Sequence, residues 1–236
     1  MSASLPPLAA PGPLLALAGA SDATSVAVLL DGVLYHRSRE GVAQHSLHLL
    51  PLVDELLSEL ALDRRALGAV AFARGPGPFT AGRIVVATAQ GLGLGLGVPL
   101  VPVSSLEATA WASGRERTAV ALEAGQGEVY WGAYHREPQG VAALEEERVL
   151  APENAAVPGG EPEGWWGVGG GWRSHAEPLS RRFGPALAGI DAEIPVRADA
   201  VAALAVAPWR EGRVLAAGEA VPTYLRASYA ERPSSS

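Results

Sequence analysis

Residues 74–97 read Arg74-Gly-Pro-Gly-Pro-Phe-Thr-Ala-Gly-Arg-Ile-Val-Val-Ala-Thr-Ala-Gln-Gly-Leu-Gly-Leu-Gly-Leu-Gly97, a proline-stiffened turn feeding a helix almost without polar side chains. From Thr80 to Gly97 only Thr80, Arg83, Thr88 and Gln90 are polar. A helix that is apolar all round is buried deep in a core or shared with another molecule, and a single sheet covers one face of it. Gly91, Gly93 and Gly95 each cost roughly 1 kcal/mol against alanine in a helix interior, so close approach by another backbone is expected to offset them. Two rival readings stand beside this one: a helix sealed inside its own domain, and a membrane span over Ile84 to Val103, about the length that crosses a bilayer. Gln90, the alternating glycines and Pro99 argue against the span.

Working outward, Leu67 to Ala73 reads as a buried strand before the turn, and Leu100 to Val103 as another after the helix. Upstream, Leu14 to Leu17, Thr24 to Leu30 and Val33 to Arg37 read as strands, the last two joined by the hairpin turn Asp31-Gly32. A helix is expected from Gln44 to Leu60, with Leu47, Leu50, Asp54, Leu57 and Leu60 at helical spacing and Pro51 interrupting it or marking its first turn. Strand and helix in alternation predict an α/β sheet with parallel central strands.

Downstream, Ser104 and Glu107 have the spacing of a capping box at a helix start. Thr118 to Glu123 and Glu128 to His135 read as a hairpin around Ala124-Gly125-Gln126-Gly127. Residues 137–164 read as loops and short elements, Trp165 to Val168 as a strand turned by Gly169-Gly170-Gly171, and Asp199 to Trp209 as a final helix limited by Pro208. No internal repeat is evident in the residues. The expected division is an extension at 1–13, lobes at 14–103 and 104–230, and a tail at 231–236.

The 236 residues carry a formal charge of −7, no cysteine and no lysine, every one of the 18 basic residues being arginine. Disulfides, thiolate nucleophiles, Schiff-base chemistry and a Walker lysine are therefore excluded. The acidic balance argues against a dominant phosphate-binding surface, so any RNA contact is expected through a partner. Without a secretory signal pattern at the start, the chain reads as cytoplasmic.

Candidate chemistry is sparse. His45 and His48 lie one helical turn apart, but no third ligand completes a metal site. Glu123 and Glu128 flank the hairpin and read as solvated charge. Gly75 to Gly77 lacks the lysine and spacing of a phosphate loop and reads as a conformational turn, and no serine sits in a Gly-x-Ser-x-Gly elbow. Trp165, Trp166 and Trp172 read as core and interface residues. Catalytic residues, metals and cofactors are assigned to none.

The chain resembles the TsaB (YeaZ) family across nearly its whole length. The resemblance rests on Arg74-Gly-Pro-Gly-Pro-Phe-Thr80, Ala87-Thr-Ala-Gln-Gly-Leu-Gly-Leu-Gly95, Val103-Ser-Ser-Leu-Glu107, Gly127-Glu-Val-Tyr-Trp131 and Pro222-Thr-Tyr-Leu-Arg226. It implies an actin-like (ASKHA, RNase H-like) fold of two related lobes with mixed sheets. It also implies a non-catalytic scaffold for the transferase TsaD, with the ATPase TsaE as third member, in threonylcarbamoylation of the adenosine next to the tRNA anticodon. In such proteins the helix matching Thr80 to Gly97, with the one near His45 to Leu60, packs in homodimers or against TsaD. The implied partner surface here is Leu47, Leu50, Ile84, Ala87, Thr88, Gly91 and Gly95. A vestigial nucleotide site would draw on Gly75, Gly77, Gly169 and Gly170. Departures from the family pattern are Ala18-Gly19 in place of Asp-Thr, Glu123-Ala124-Gly125 in place of Asp-Ala-Arg, and Gly77-Pro78-Phe79-Thr80-Ala81 in place of Gly-Ser-Phe-Thr-Gly. The first removes a carboxylate that would hold a metal-nucleotide. The alternatives are a homodimer drifted from this role and a weak peptidase or ATPase.

Overall fold

Alternating apolar residues near the start fold as three antiparallel strands, β1 (Leu14–Gly19), β2 (Ala23–Leu30) and β3 (Val33–Glu40). Asp31 and Gly32 join the last two at φ of 51° and 80°, the left-handed pair that a two-residue hairpin needs. Helix α1 (His45–Glu59), strand β4 (Ala69–Ala73), helix α2 (Phe79–Leu96) and strand β5 (Leu100–Val103) follow. The strands β4 and β5 lie parallel to β1, in the order β3-β2-β1-β4-β5. The computed structural model describes residues 10–19, 23–41, 45–157 and 163–225, without the side chains of 45–47. The expected extension therefore falls mostly, and the expected tail wholly, outside the described residues.

Helix α3 (Ser105–Ser113) leads to a second sheet built from β6 (Arg117–Gly125), β7 (Glu128–Glu137), β8 (Gly140–Ala143), β9 (Arg148–Leu150), β10 (Trp165–Val168) and β11 (Leu187–Asp191). Its order is β8-β7-β6-β10-β11, with β9 beside β7. Strand senses match the first sheet one for one: two antiparallel pairings, then two parallel ones. Helices α4 (Gly171–Ser174) and α5 (Ala176–Phe183) stand where α2 stands in the first lobe, and α6 (Ala198–Arg210) closes the order. This is the two-lobed actin-like α/β architecture, and the repeat lies in topology where the residues show none.

The helix after each sheet crosses to the other one. α3 packs on β6, β7 and β8, while α6 returns to β1, β2, β4 and β5. Segment 104–230 thus contributes to both lobes. Period-two alternation in β1 sorts its two faces: Leu14, Ala16 and Ala18 face α6, and Leu15 and Leu17 face α1 and α2. The α6 side is made of small residues on both partners, including Ala27, Ala71, Ala202 and Ala205, which brings helix and sheet close together.

Several local expectations are corrected. The buried stripe of α1 is Leu49, Leu52, Val53, Leu56 and Leu57, whereas Leu50 and Asp54 face solvent. Pro51 lies inside α1 and Pro208 inside α6, both helices continuing past them. In α1 the burial of that leucine-rich stripe outweighs the lost hydrogen bond, which falls on the exposed side. Most consequentially, α2 is not covered all round: Ala81, Val85, Val86, Ala89 and Gly93 are buried, and the opposite face is open. No helix among the described residues is long and apolar enough to cross a membrane.

Candidate functional site

The open face of α2 carries Thr80, Arg83, Ala87, Gly91 and Leu94, three or four residues apart, with Gly95 beside the last, all exposed. Leu94 is 71% exposed. Methyl groups built on Gly91 and Gly95 would meet no described residue outside their own turn of helix within 4 Å, so the backbone there is bare. Gly93 differs, because its Cβ would fall 2.8 Å from Leu100 Cδ2. Of the expected offset to the glycine cost, the described residues supply only the part at Gly93.

Helix α1 packs beside α2 on the same sheet face. Leu50 projects from it, 48% exposed. Ile84 and Thr88 are half-buried at the border of the α2 face. Leu47 lies outside the described side chains. Thus Leu50, Ala87, Gly91 and Gly95 face outward, with Ile84 and Thr88 at the edge.

A C-terminal strap completes the surface. Leu215 pairs with Leu100 in both directions, at 2.8 and 2.9 Å. Ala217 and Ala220 are buried in the α1–α2 core. Gln90 Nε2 donates to the Ala220 carbonyl at 2.9 Å, and Thr223 N to the Arg74 carbonyl at 2.8 Å. Tyr224 is thereby held at the start of α2. There Phe79 is 59% and Tyr224 55% exposed, their centroids 6.0 Å apart. Arg83 stacks on Phe79 with Cζ 3.7 Å from the ring centroid, and its Nε donates to Tyr224 Oη at 2.9 Å. Phe79, Arg83 and Tyr224 were not singled out as site residues from sequence. An exposed Phe at a helix start gave one signal, but Tyr224 could be joined to it only by the fold.

Between the lobes lies a cleft of about 330 Å³, lined by Gly19, Gly77, Gly170 and Ser105 among others. Gly75 and Gly169 do not line it. They answer to backbone geometry, with φ of 95° each and built Cβ atoms 3.2 Å from the Thr223 carbonyl oxygen and 2.8 Å from that of Ala121. The cleft carries Glu40, Glu123 and Glu193 against Arg173. Arg173 is already held by Glu193 at 2.8 and 2.6 Å, and Glu123 accepts from the Ser174 hydroxyl. Such a surface repels phosphate.

The predicted capping box is present: Leu106 N donates to Ser104 Oγ at 3.1 Å, and Ser104 N to Glu107 Oε2 at 3.4 Å. The Ser104 hydroxyl also donates to Glu147, as does Tyr134 Oη at 2.8 Å. Burial, then the neighbouring Glu147, raises the Glu107 carboxyl above the ordinary glutamate range, opposed by the Ser104 N–H and by Arg74 and Arg213. Burial, then Glu147, likewise pushes the Tyr134 phenol up.

Trp165 and Trp172 are fully buried, and Trp166 lies under the Arg115 guanidinium, 3.4 Å from Cζ to the ring centroid. His48 Nδ1 lies 3.5 Å from Arg39 Nη1, while His45 is outside the described side chains. Among the described residues no group of His, Cys, Asp and Glu is placed to hold a metal ion.

The family model described as TsaD, tRNA N6-adenosine threonylcarbamoyltransferase, matches residues 32–165. The chain is 34% identical to the tRNA threonylcarbamoyladenosine biosynthesis protein TsaB of Escherichia coli (strain K12), over 90% of this chain and 94% of that protein. It is 32% identical to TsaB of Haemophilus influenzae, over 90% and 93%. A solved structure of YeaZ from Pseudomonas aeruginosa superposes with a TM-score of 0.84 at 36% identity, covering 91% of this chain and all of that one. A TM-score of 0.84 over 91% of this chain means that the two proteins share one fold. The chain therefore belongs to the TsaB (YeaZ) family, which its match over residues 32–165 places among the TsaD-like proteins.

Proposed function

We propose that this protein is a non-catalytic subunit of cytoplasmic tRNA threonylcarbamoyladenosine synthesis, holding a TsaD-like transferase subunit through the α1–α2 face. The observation that carries the reading is the bare, apolar side of α2, where Ala87, Gly91 and Gly95 leave room for a partner helix and Leu94 stands out 71% exposed. Exposed leucine beside unfilled glycine is costly in a lone chain and favourable once a second backbone covers it. The name borne by the E. coli and H. influenzae relatives supports the pathway. A TsaE-like ATPase joins as a third member, and tRNA is met through the transferase rather than on this acidic chain.

The cleft supports the non-catalytic part. Ala18 and Gly19 end β1 without a carboxylate, Glu123 and Glu193 are engaged by Ser174 and Arg173, and the lining is acidic where a nucleotide would bring phosphate. A second reading, a homodimer through the same face in the isolated chain, is favoured by the same bare glycines.

Co-purification tests the proposal. Gly91→Trp and Gly95→Trp add bulk on an exposed face where a Cβ meets none of the described residues within 4 Å, so both variants are expected to fold and to lose the transferase subunit. Retained association in both would contradict the reading.

A further inference from the structure

The open face of α2 bears a single charge, and among the described residues that charge has no counter-ion. We propose that Arg83, stacked on Phe79 and tied to Tyr224, is the anchor of this face, and that the transferase-like partner supplies a carboxylate that pairs with it on docking. The inference rests on the docking reading above and goes beyond it by naming the contact and choosing the occupant.

Arg83 is already in position. Its guanidinium lies 3.7 Å from the Phe79 centroid and 5.9 Å from that of Tyr224, and Nε is used on Tyr224 Oη. A guanidinium has five N–H donors, and no ion pair of Arg83 occurs among the described residues. The terminal nitrogens remain for an anion. Because the side chain is fixed by two rings, little rotamer freedom is left to lose on binding. Exposed tyrosine and arginine at the edge of an apolar face are the residue types that carry interface energy.

Charge decides between the possible occupants. Residues 79–96 contain no acidic side chain. On the outward side of α1, Asp54 is paired with Arg64, Glu55 with Arg39 and Glu59 with Arg37, all within the chain. The described residues of α1 and α2 in a second copy would thus bring no spare carboxylate to Arg83, and Glu219 on the strap already caps its own turn by accepting from Ala216 N at 2.9 Å; a covered cation without a partner costs several kcal/mol. A different chain with an acidic residue in an otherwise apolar helical face satisfies both the bare glycines and the guanidinium.

The test uses the full-length chain and the purified transferase subunit, with dissociation constants measured by calorimetry at low and high salt. Arg83→Glu is expected to weaken association by about a hundredfold and Tyr224→Ala by about tenfold. Arg83→Gln should flatten the salt dependence shown by the wild type. Far-UV circular dichroism checks that each variant is folded, and sedimentation follows self-association. If Gly91→Trp abolishes transferase binding while Arg83→Glu leaves it within about twofold, the anchor is wrong and the docking face stands. If neither variant changes binding, both fall. If Arg83→Glu abolishes self-association but spares the transferase, the occupant is a second copy and the proposal is overturned.

Discussion

Gly93 sits against Leu100: a methyl group added to Gly93 would lie 2.8 Å from Leu100 Cδ2 and 3.2 Å from the Ala217 Cβ. A methyl group on Gly91 or Gly95, two residues to either side, would meet none of the other described residues within 4 Å. One helix therefore holds glycines of two kinds. The central one admits the strap and strand β5, and the flanking ones are left bare by the described residues.

The two kinds should respond to alanine with opposite sign. Gly93→Ala overpacks a buried contact and is expected to lose about 1–2 kcal/mol. Gly91→Ala and Gly95→Ala should gain up to about 1 kcal/mol each, the ordinary helix-propensity difference. Urea titration of the isolated chain measures all three. A loss at Gly91 or Gly95 equal to that at Gly93 would mean that the flanking glycines are packed.

In the second lobe, Trp172 covers Gly167 so closely that a Cβ there would lie 2.5 Å from ring carbons, and its Nε1 donates to the Ala119 carbonyl at 2.8 Å. The ring is fully buried and packs edge-on to Phe183, 5.6 Å between centroids. Trp172→Ala should cost about 3–5 kcal/mol and Gly167→Ala about 2–3 kcal/mol. Both appear as a lower thermal midpoint, and an unchanged midpoint for Gly167→Ala would contradict the packing.

Glu107 gives a pH test. Its carboxyl is raised in the folded protein by burial first and Glu147 second. A raised folded pKa means that the folded state holds the proton more tightly than the unfolded chain. Its contribution to stability is full below the unfolded glutamate value and is lost as pH rises through the folded one. Glu107→Gln keeps an oxygen for the Ser104 N–H but cannot ionise. The variant should therefore gain on the wild type as pH is raised from the acid side of the glutamate range to neutrality, and urea midpoints at the two ends measure it. A constant difference between the two proteins would contradict the assignment.

Much of this architecture was legible. Asp31-Gly32 announces its hairpin because few residue pairs accept left-handed φ, and Ser104 with Glu107 announces α3 because the capping partners are three residues apart. Other features depend on contacts far along the chain. Helix α6 begins at Ala198 because the Ser25 hydroxyl in β2 accepts from its N–H at 3.0 Å, a cap that no local pattern encodes. The leucines of 47–60 allow more than one helical stripe, and only the position of the sheet selects Leu49, Leu52, Val53, Leu56 and Leu57. Strand β11 and helix α5 are short, with α5 strongly polar, so neither has a long apolar period to read. At the site, the family resemblance names Gly91 and Gly95 as partner surface, but no local pattern shows that their face is open, and the Arg83–Tyr224 contact joins residues 141 apart.

The central claim is that a second polypeptide must seat on α2 for the pathway to run. Reconstituted threonylcarbamoylation of tRNA by the transferase and ATPase subunits, with this chain wild type or carrying Gly91→Trp and Gly95→Trp together, measures it. The account predicts modification with the wild type and a fall to the level seen without this chain for the folded double variant. Undiminished modification by that variant would contradict it.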